Sequence, residues 1–290
     1  MIELSLSIVL STGVYLIFRQ LAQRGIAPLP VVVLNYPICV LAGLAVLMVR
    51  DTIGKWPSTP AFWLSAAFLG SMFMLMFWVA GVHTRFFGAG SSALISRLSL
   101  VLPVAYSAMR YHEPFGWRNA LGLLGALLAI YFTIDQQSVH LSAKGIYRRT
   151  FLLPLVLFSG FGLNDIVVKT VSREHYNPLS ELHFVTAVFA FAFLAGVLVL
   201  LNPGVPNPFN DRRIYGLGLA LGLANFGGFF FFLRALENDV LPGTELFPLN
   251  SVAIVALTVL AGHWLYAEKL NHRKKAGLLL ATVSIILLRL

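Results

Sequence analysis

Charge is what this 290-residue sequence has least of. Only 11% of its residues are Asp, Glu, Lys or Arg, where a soluble domain carries roughly 25%. So few charges cannot cover a water-facing surface, which excludes a soluble globular protein. Cysteine occurs once, at Cys39, so no internal disulfide can form, and a small apolar packing residue is expected there. A Gly-rich phosphate loop ending in Lys-Ser or Lys-Thr is missing, which argues against ATP-driven work within this chain. Tyr111-His112-Glu113-Pro114 lacks the two-histidine spacing of a zinc protease. The run Gly160-Phe161-Gly162-Leu163-Asn164-Asp165 puts its aspartate in the wrong place for an intramembrane aspartyl protease. No catalytic residue, metal or cofactor is expected, and the chain reads as a non-enzyme. Acidic residues number 12 against 21 basic ones. The basic residues are scattered over short connections, as interfacial cations are, and no basic face is left to hold nucleic acid.

What the sequence has is apolar length: 58% hydrophobic residues and a mean hydropathy of +0.81. Segments able to span a bilayer fall at 3–20, 28–49, 60–82, 88–109, 116–134, 151–170, 179–201, 214–234, 243–265 and 274–289. They predict an all-α, multi-pass membrane protein of ten helices whose surroundings are the lipid bilayer. Met1-Ile2-Glu3 carries no basic stretch, so the first segment is expected to remain as a helix rather than to be a cleaved signal.

The chain also repeats itself. Sliding residues 77–130 by 155 positions aligns 15 identical pairs among 54 without a gap, where this composition gives about four by chance. The pairs include Gly88/Gly243, Glu113/Glu268, Arg118/Arg273 and Gly122/Gly277. A weaker echo at an offset of 149 links Gly13 and Arg24 to Gly162 and Arg173. The predicted organisation is a first five-helix repeat over 1–136, a linker over 137–149 and a second repeat over 150–290. Five is odd, so the second repeat must enter the membrane upside down, the arrangement of secondary transporters whose site lies between repeats. Cation counts on the two sets of connections are 12 and 8, and the positive-inside rule then puts both termini outside.

Ionisable groups at membrane depth are costly and are candidates for function. Residues found in both halves read as architecture. Glu113 and Glu268 are expected to be helix caps or interfacial partners, and Gly122 and Gly277 to let helices pack closely. Polar residues found in one half only are the candidates for a substrate site. Arg97 lies about nine residues into segment 4, some 13 Å deep at roughly 1.5 Å per residue, and its repeat partner is Val252. Glu245 and Asn250 in segment 9 face Gly90 and Ile95 in the alignment. Segment 6 carries Asn164, Asp165 and Lys169, the last two at a spacing that allows them to pair with each other. Trp78 is a candidate for an apolar wall. Pro103 and Pro248 are expected to kink segments 4 and 9. Asp165 and Glu245 are the candidates for carrying a proton.

These features resemble the drug/metabolite transporter superfamily in its ten-helix EamA-type family. The resemblance rests on the five-plus-five duplication and on the stretches Leu102-Pro103 through Glu113 to Gly122 and Leu257 through Glu268 to Gly277. It implies a basket-like fold, a central cavity and termini in the cytoplasm, against the charge count. Function is then expected to be non-ATP transport of a small polar metabolite across a bacterial inner membrane by alternating access. Opposite charges at Arg97 and at Glu245 or Asp165 favour a zwitterion such as an amino acid, and the resemblance favours export. A lipid or lipid-linked-sugar flippase and a non-transporting scaffold are the alternatives. A monomer suffices for this scheme, and the sequence leaves the oligomeric state open.

Overall fold

Helix boundaries fall where the sequence places its breakers. A computed structural model describes residues 1–87, 95–133, 152–174, 181–201, 211–238, 241–266 and 270–289. Its principal helices are α1 (Ile2–Gln23), α2 (Pro28–Val49), α3 (Pro60–Phe87), α4 (Val101–Tyr111), α5 (Trp117–Thr133), α6 (Leu152–Glu174), α7 (Glu181–Leu200), α8 (Arg213–Glu237), α9 (Gly243–Tyr266) and α10 (His272–Arg289). Seven of these are long and apolar enough to cross a bilayer. The protein is an all-α membrane protein, as its segments predict. The 137–149 linker and Glu268 lie outside the described residues.

Local chemistry explains the ends. The chain leaves α1 through Gly25 at φ +63, a conformation that costs glycine least. Pro28 opens α2, where its missing N–H is not needed. His112 closes α4 in the left-handed region at φ 51. Asp211 precedes α8 and accepts the Arg213 N–H at 3.0 Å. Hydrogen bonds from the Arg213 guanidinium hold the exposed Asp211 carboxyl below its usual range.

The chain forms two compact units, and each draws helices from both halves of the sequence. One comprises Met1–Leu75 with Thr170–Asn238, the other Met76–Lys169 with Asp239–Leu290. In the first, α2 packs on α7 and α8, and α1 packs on α8. Small residues make this possible. A side chain at Gly43 would collide with Thr186, and one at Gly222 would sit 2.6 Å from Ile38 Cβ. Cys39 is fully buried and directs its thiol at the Gly222 carbonyl, 3.2 Å away. Asn35 Oδ1 accepts from Asn225 Nδ2 at 2.8 Å, tying α2 to α8. Such contacts replace the hydrophobic effect, which lipid does not supply between helices.

In the second unit α5 packs along α10, with α9 against both. Its core is Ala126, Ala129, Val252 and Ala281. Gly122 of α5 rests on α10, where an added Cβ would lie 2.7 Å from Leu288 Cγ. Gly277 of α10 rests on α5, where an added Cβ would lie 2.6 Å from Thr133 Cγ2. Shifting Gly122 forward and Leu288 back by 155 positions gives Gly277 and Thr133. The two contacts are one contact related by a local dyad. Gly125 meets Ser284, whose Oγ donates to the Gly122 carbonyl at 2.6 Å. Numbering therefore falls along α10 as it rises along α5, and the helices are antiparallel. The α2–α7 pair has the same sense, with Gly43 on Thr186 and Val33 on Gly196. Repeat-equivalent helices that run antiparallel are the inversion the odd helix number requires.

Because the α5–α10 contacts are equivalent, Gly122→Leu and Gly277→Leu should each lower thermal stability in detergent, by about 1–3 kcal/mol and to similar extents. Gly216, with open space around its Cα, should accept Ala without loss. Differential scanning fluorimetry of the three variants checks this.

Candidate functional site

Segment 4, which Pro103 was expected to kink, is interrupted just before that proline. Residues 95–98 are helical, Ser99 and Leu100 form a turn, and α4 begins at Val101. Pro103 has no N–H to offer the Ser99 carbonyl, so the Leu102 N–H takes it at 2.9 Å in a tighter turn. Ser99 Oγ meanwhile donates to the Ser96 carbonyl at 2.6 Å, a side-chain bond that competes with the helical ladder. Pro248 leaves α9 continuous. It lies close to the helix start, where little of the ladder precedes it.

Arg97 sits in the last turn before this break and is half-buried. Its charge acts on the carboxyl of Asp165, which α6 brings to the same unit. Asp165 is half-buried and, among the described residues, makes no hydrogen bond or close ion pair. Beside it, Asn164 is buried at 3% exposure, and its Oδ1 has no hydrogen-bond partner among the described residues. Oppositely charged groups from two elements and an unsatisfied amide oxygen therefore cluster at a helix break. Irregular backbone at membrane depth is tolerated where it lines a cavity or is enclosed by protein.

Lys169 does not pair with Asp165, contrary to what their spacing allows. Its Nζ lies 2.7 Å from Glu113 Oε1, with the two side chains 0% and 4% exposed. The other Glu113 oxygen accepts the Thr244 N–H at 3.0 Å. Glu113 thus caps α9 rather than the α5 that follows it, and Thr244 Oγ1 donates to the Pro114 carbonyl at 3.2 Å. Lys169 is buried inside the protein rather than held at a membrane interface. Sequence spacing could not reveal this pair, because its partners are far apart in the chain.

The remaining candidates are dispersed. Glu245 Oε1 accepts from Asn119 Nδ2 at 3.2 Å, which gives it a partner on α5. Asn250 is half-buried, and its enclosed Oδ1 has no partner among the described residues. Trp78 is 51% exposed. In the other unit, Arg234 approaches Glu181 at 3.6 Å, and His183 Nε2 lies 2.9 Å from the Thr52 carbonyl. Among the described residues no cluster of His, Cys, Asp or Glu could hold a metal ion.

Antiparallel repeat-equivalent helices, charged groups gathered at membrane depth and a broken helix beside them are the anatomy of a membrane carrier. Residues 150–290 match the EamA-like transporter family. An uncharacterized protein of Haemophilus influenzae is 22% identical over 242 residues, covering 82% of this chain and 78% of the relative. A protein of known crystal structure shares the fold at a TM-score of 0.76 and 15% identity, over 99% of this chain and 94% of the other. The family match covers the second half of the chain. The chain is a multi-pass membrane protein, and the family its second half matches is one of secondary transporters of small molecules.

An unsatisfied amide retained in a buried place adds nothing to stability. Asn164→Leu should therefore leave thermal stability unchanged or raise it, whereas Asn35→Leu, which removes the bond to Asn225, should lower it by about 1–3 kcal/mol. Parallel unfolding curves of the purified variants measure the contrast.

Proposed function

We propose that this protein moves a small zwitterionic metabolite, an amino acid or a close relative, out across a bacterial inner membrane by alternating access. The observation that carries the reading is that Arg97, at the break in segment 4, and Asp165, on α6, lie in one compact unit with the Arg97 charge acting on the Asp165 carboxyl. Arg97 presents a planar fork suited to a carboxylate, and Asp165 presents a carboxylate suited to an ammonium or a proton. Asn164 Oδ1 supplies a further acceptor for the ammonium. The unsatisfied Asn164 Oδ1 supports the reading, because a site sealed by protein alone would leave no buried acceptor over. Val252, the repeat equivalent of Arg97, is fully buried in the core, so the helical framework does not call for a charge at that place.

A second reading has one observation in its favour. An apolar groove of about 240 Å³ between α2 and α7, lined by Val40, Leu44, Trp56, Trp63 and Leu194, would suit an acyl chain. In that case the cargo is a lipid and Arg97 is dispensable.

Counterflow in proteoliposomes loaded with amino acids separates the two. Arg97→Ala should abolish exchange while the protein still folds, and Arg97→Lys should restore only part of it, because the bidentate fork is lost. An imposed pH gradient should drive uptake in the wild type, and Asp165→Asn should abolish that uptake together with substrate binding. Normal exchange by Arg97→Ala would overturn the zwitterion reading.

A further inference from the structure

Asp165 and Lys169 stand one helical turn apart on α6, the spacing at which a carboxylate and an ammonium ordinarily neutralise each other. They do not. Lys169 is drawn to Glu113 at 2.7 Å and is fully enclosed there. Three features hold it. Glu113 is itself fixed by the Thr244 N–H at the start of α9. Gly243 leaves the space that Lys169 occupies, since an added Cβ would lie 3.0 Å from both Lys169 Cε and Nζ. Tyr111 turns its ring toward the ammonium, 5.9 Å from its centroid.

The repeat adds an independent observation. At the offset of 149, the counterparts of Asp165 and Lys169 are Leu16 and Gln20. The half that lacks the carboxylate also lacks the cation. Glu268, the counterpart of Glu113, is present all the same. A glutamate at this place therefore does not depend on a lysine for its role in the framework. The cation and the carboxylate occur together in one half only, where each has a use.

We propose that Glu113 is a positioning residue for the substrate site: by sequestering Lys169 it keeps Asp165 open to the ammonium group of the transported molecule. Lys169 then serves as a reserve cation whose release would close that site from within. The proposal rests on the reading of Asp165 as the amine-facing carboxylate, and it deepens that reading by assigning the residue that protects it. A merely structural Glu113 would stabilise α9 and have no bearing on what Asp165 meets.

The test uses dicyclohexylcarbodiimide, an apolar reagent that attacks protonated carboxyls within membranes, with adducts located by peptide mass spectrometry on the full-length protein. Wild type should be labelled at Asp165. Glu113→Gln frees Lys169 to fall on Asp165 and favours its ionised form, so labelling there should drop about tenfold. Removing the cation as well, in Glu113→Gln with Lys169→Met, should restore wild-type labelling. Lys169→Met alone should label as wild type, and it remains informative if Glu113→Gln fails to fold. Unchanged labelling in Glu113→Gln overturns the proposal. So does a large rise in Lys169→Met, because it would mean that the lysine already sits on Asp165, and so does the absence of any Asp165 adduct in wild type. If the labelling follows the expected pattern but amino acids do not protect Asp165 from the reagent, the partition of charge stands and the zwitterion reading falls.

Discussion

The structure turns on where α6 sends its charges. A charged side chain at the bilayer centre costs about 2.5–3.5 kcal/mol on insertion scales, so it must find a partner or water. A pair one turn apart on a helix gains only about 0.2–0.5 kcal/mol. Removing one member of a buried pair costs about 3–5 kcal/mol, because the other charge is left enclosed and unmatched. A local pairing that weak does not hold Lys169, which lies enclosed against the distant Glu113 at 2.7 Å. The Thr244 N–H strengthens the outcome by satisfying the second carboxylate oxygen at the positive end of α9. One choice of partner caps a helix, joins α6 to the start of α9, and leaves Asp165 within the field of Arg97.

Close backbone approach sets the frame around that choice. Gly122 and Gly277 give the α5–α10 pair its dyad, and Gly43 and Gly222 do the same work for α2 against its neighbours. Lipid tails offer no hydrophobic drive for helices to associate, so dispersion contacts and bonds such as Ser284 Oγ to the Gly122 carbonyl must supply it. The framework is apolar and built from small residues, and the ionisable groups inside it stand out against that background.

Helix number, the inverted repeat and the glycine contacts were legible because they depend on period and on self-similarity. The 155-position offset predicts that Gly122 and Gly277 are equivalent, and the paired contacts with Leu288 and Thr133 follow from that symmetry. Arg97 was legible as a charge without a repeat partner. The partner of Lys169 was not, because the choice between Asp165 and Glu113 depends on burial and on the Thr244 N–H, which no local spacing encodes. Pro103 and Pro248 look alike in sequence and act differently. One breaks a helix that Ser99 already weakens, and the other sits near a helix start capped by Glu113. Glu245 reads as a free carboxylate until Asn119 is seen to bond it.

The central claim is that Arg97 and Asp165 together recognise a molecule carrying both charges. Ligand-induced thermal shift measures this most directly, comparing each amino acid with its deaminated acid and its decarboxylated amine on the same purified protein. The account predicts a shift only when both groups are present, lost in Arg97→Ala and in Asp165→Asn. Equal shifts from the amino acid and from either truncated analogue, or shifts that survive both substitutions, would contradict it.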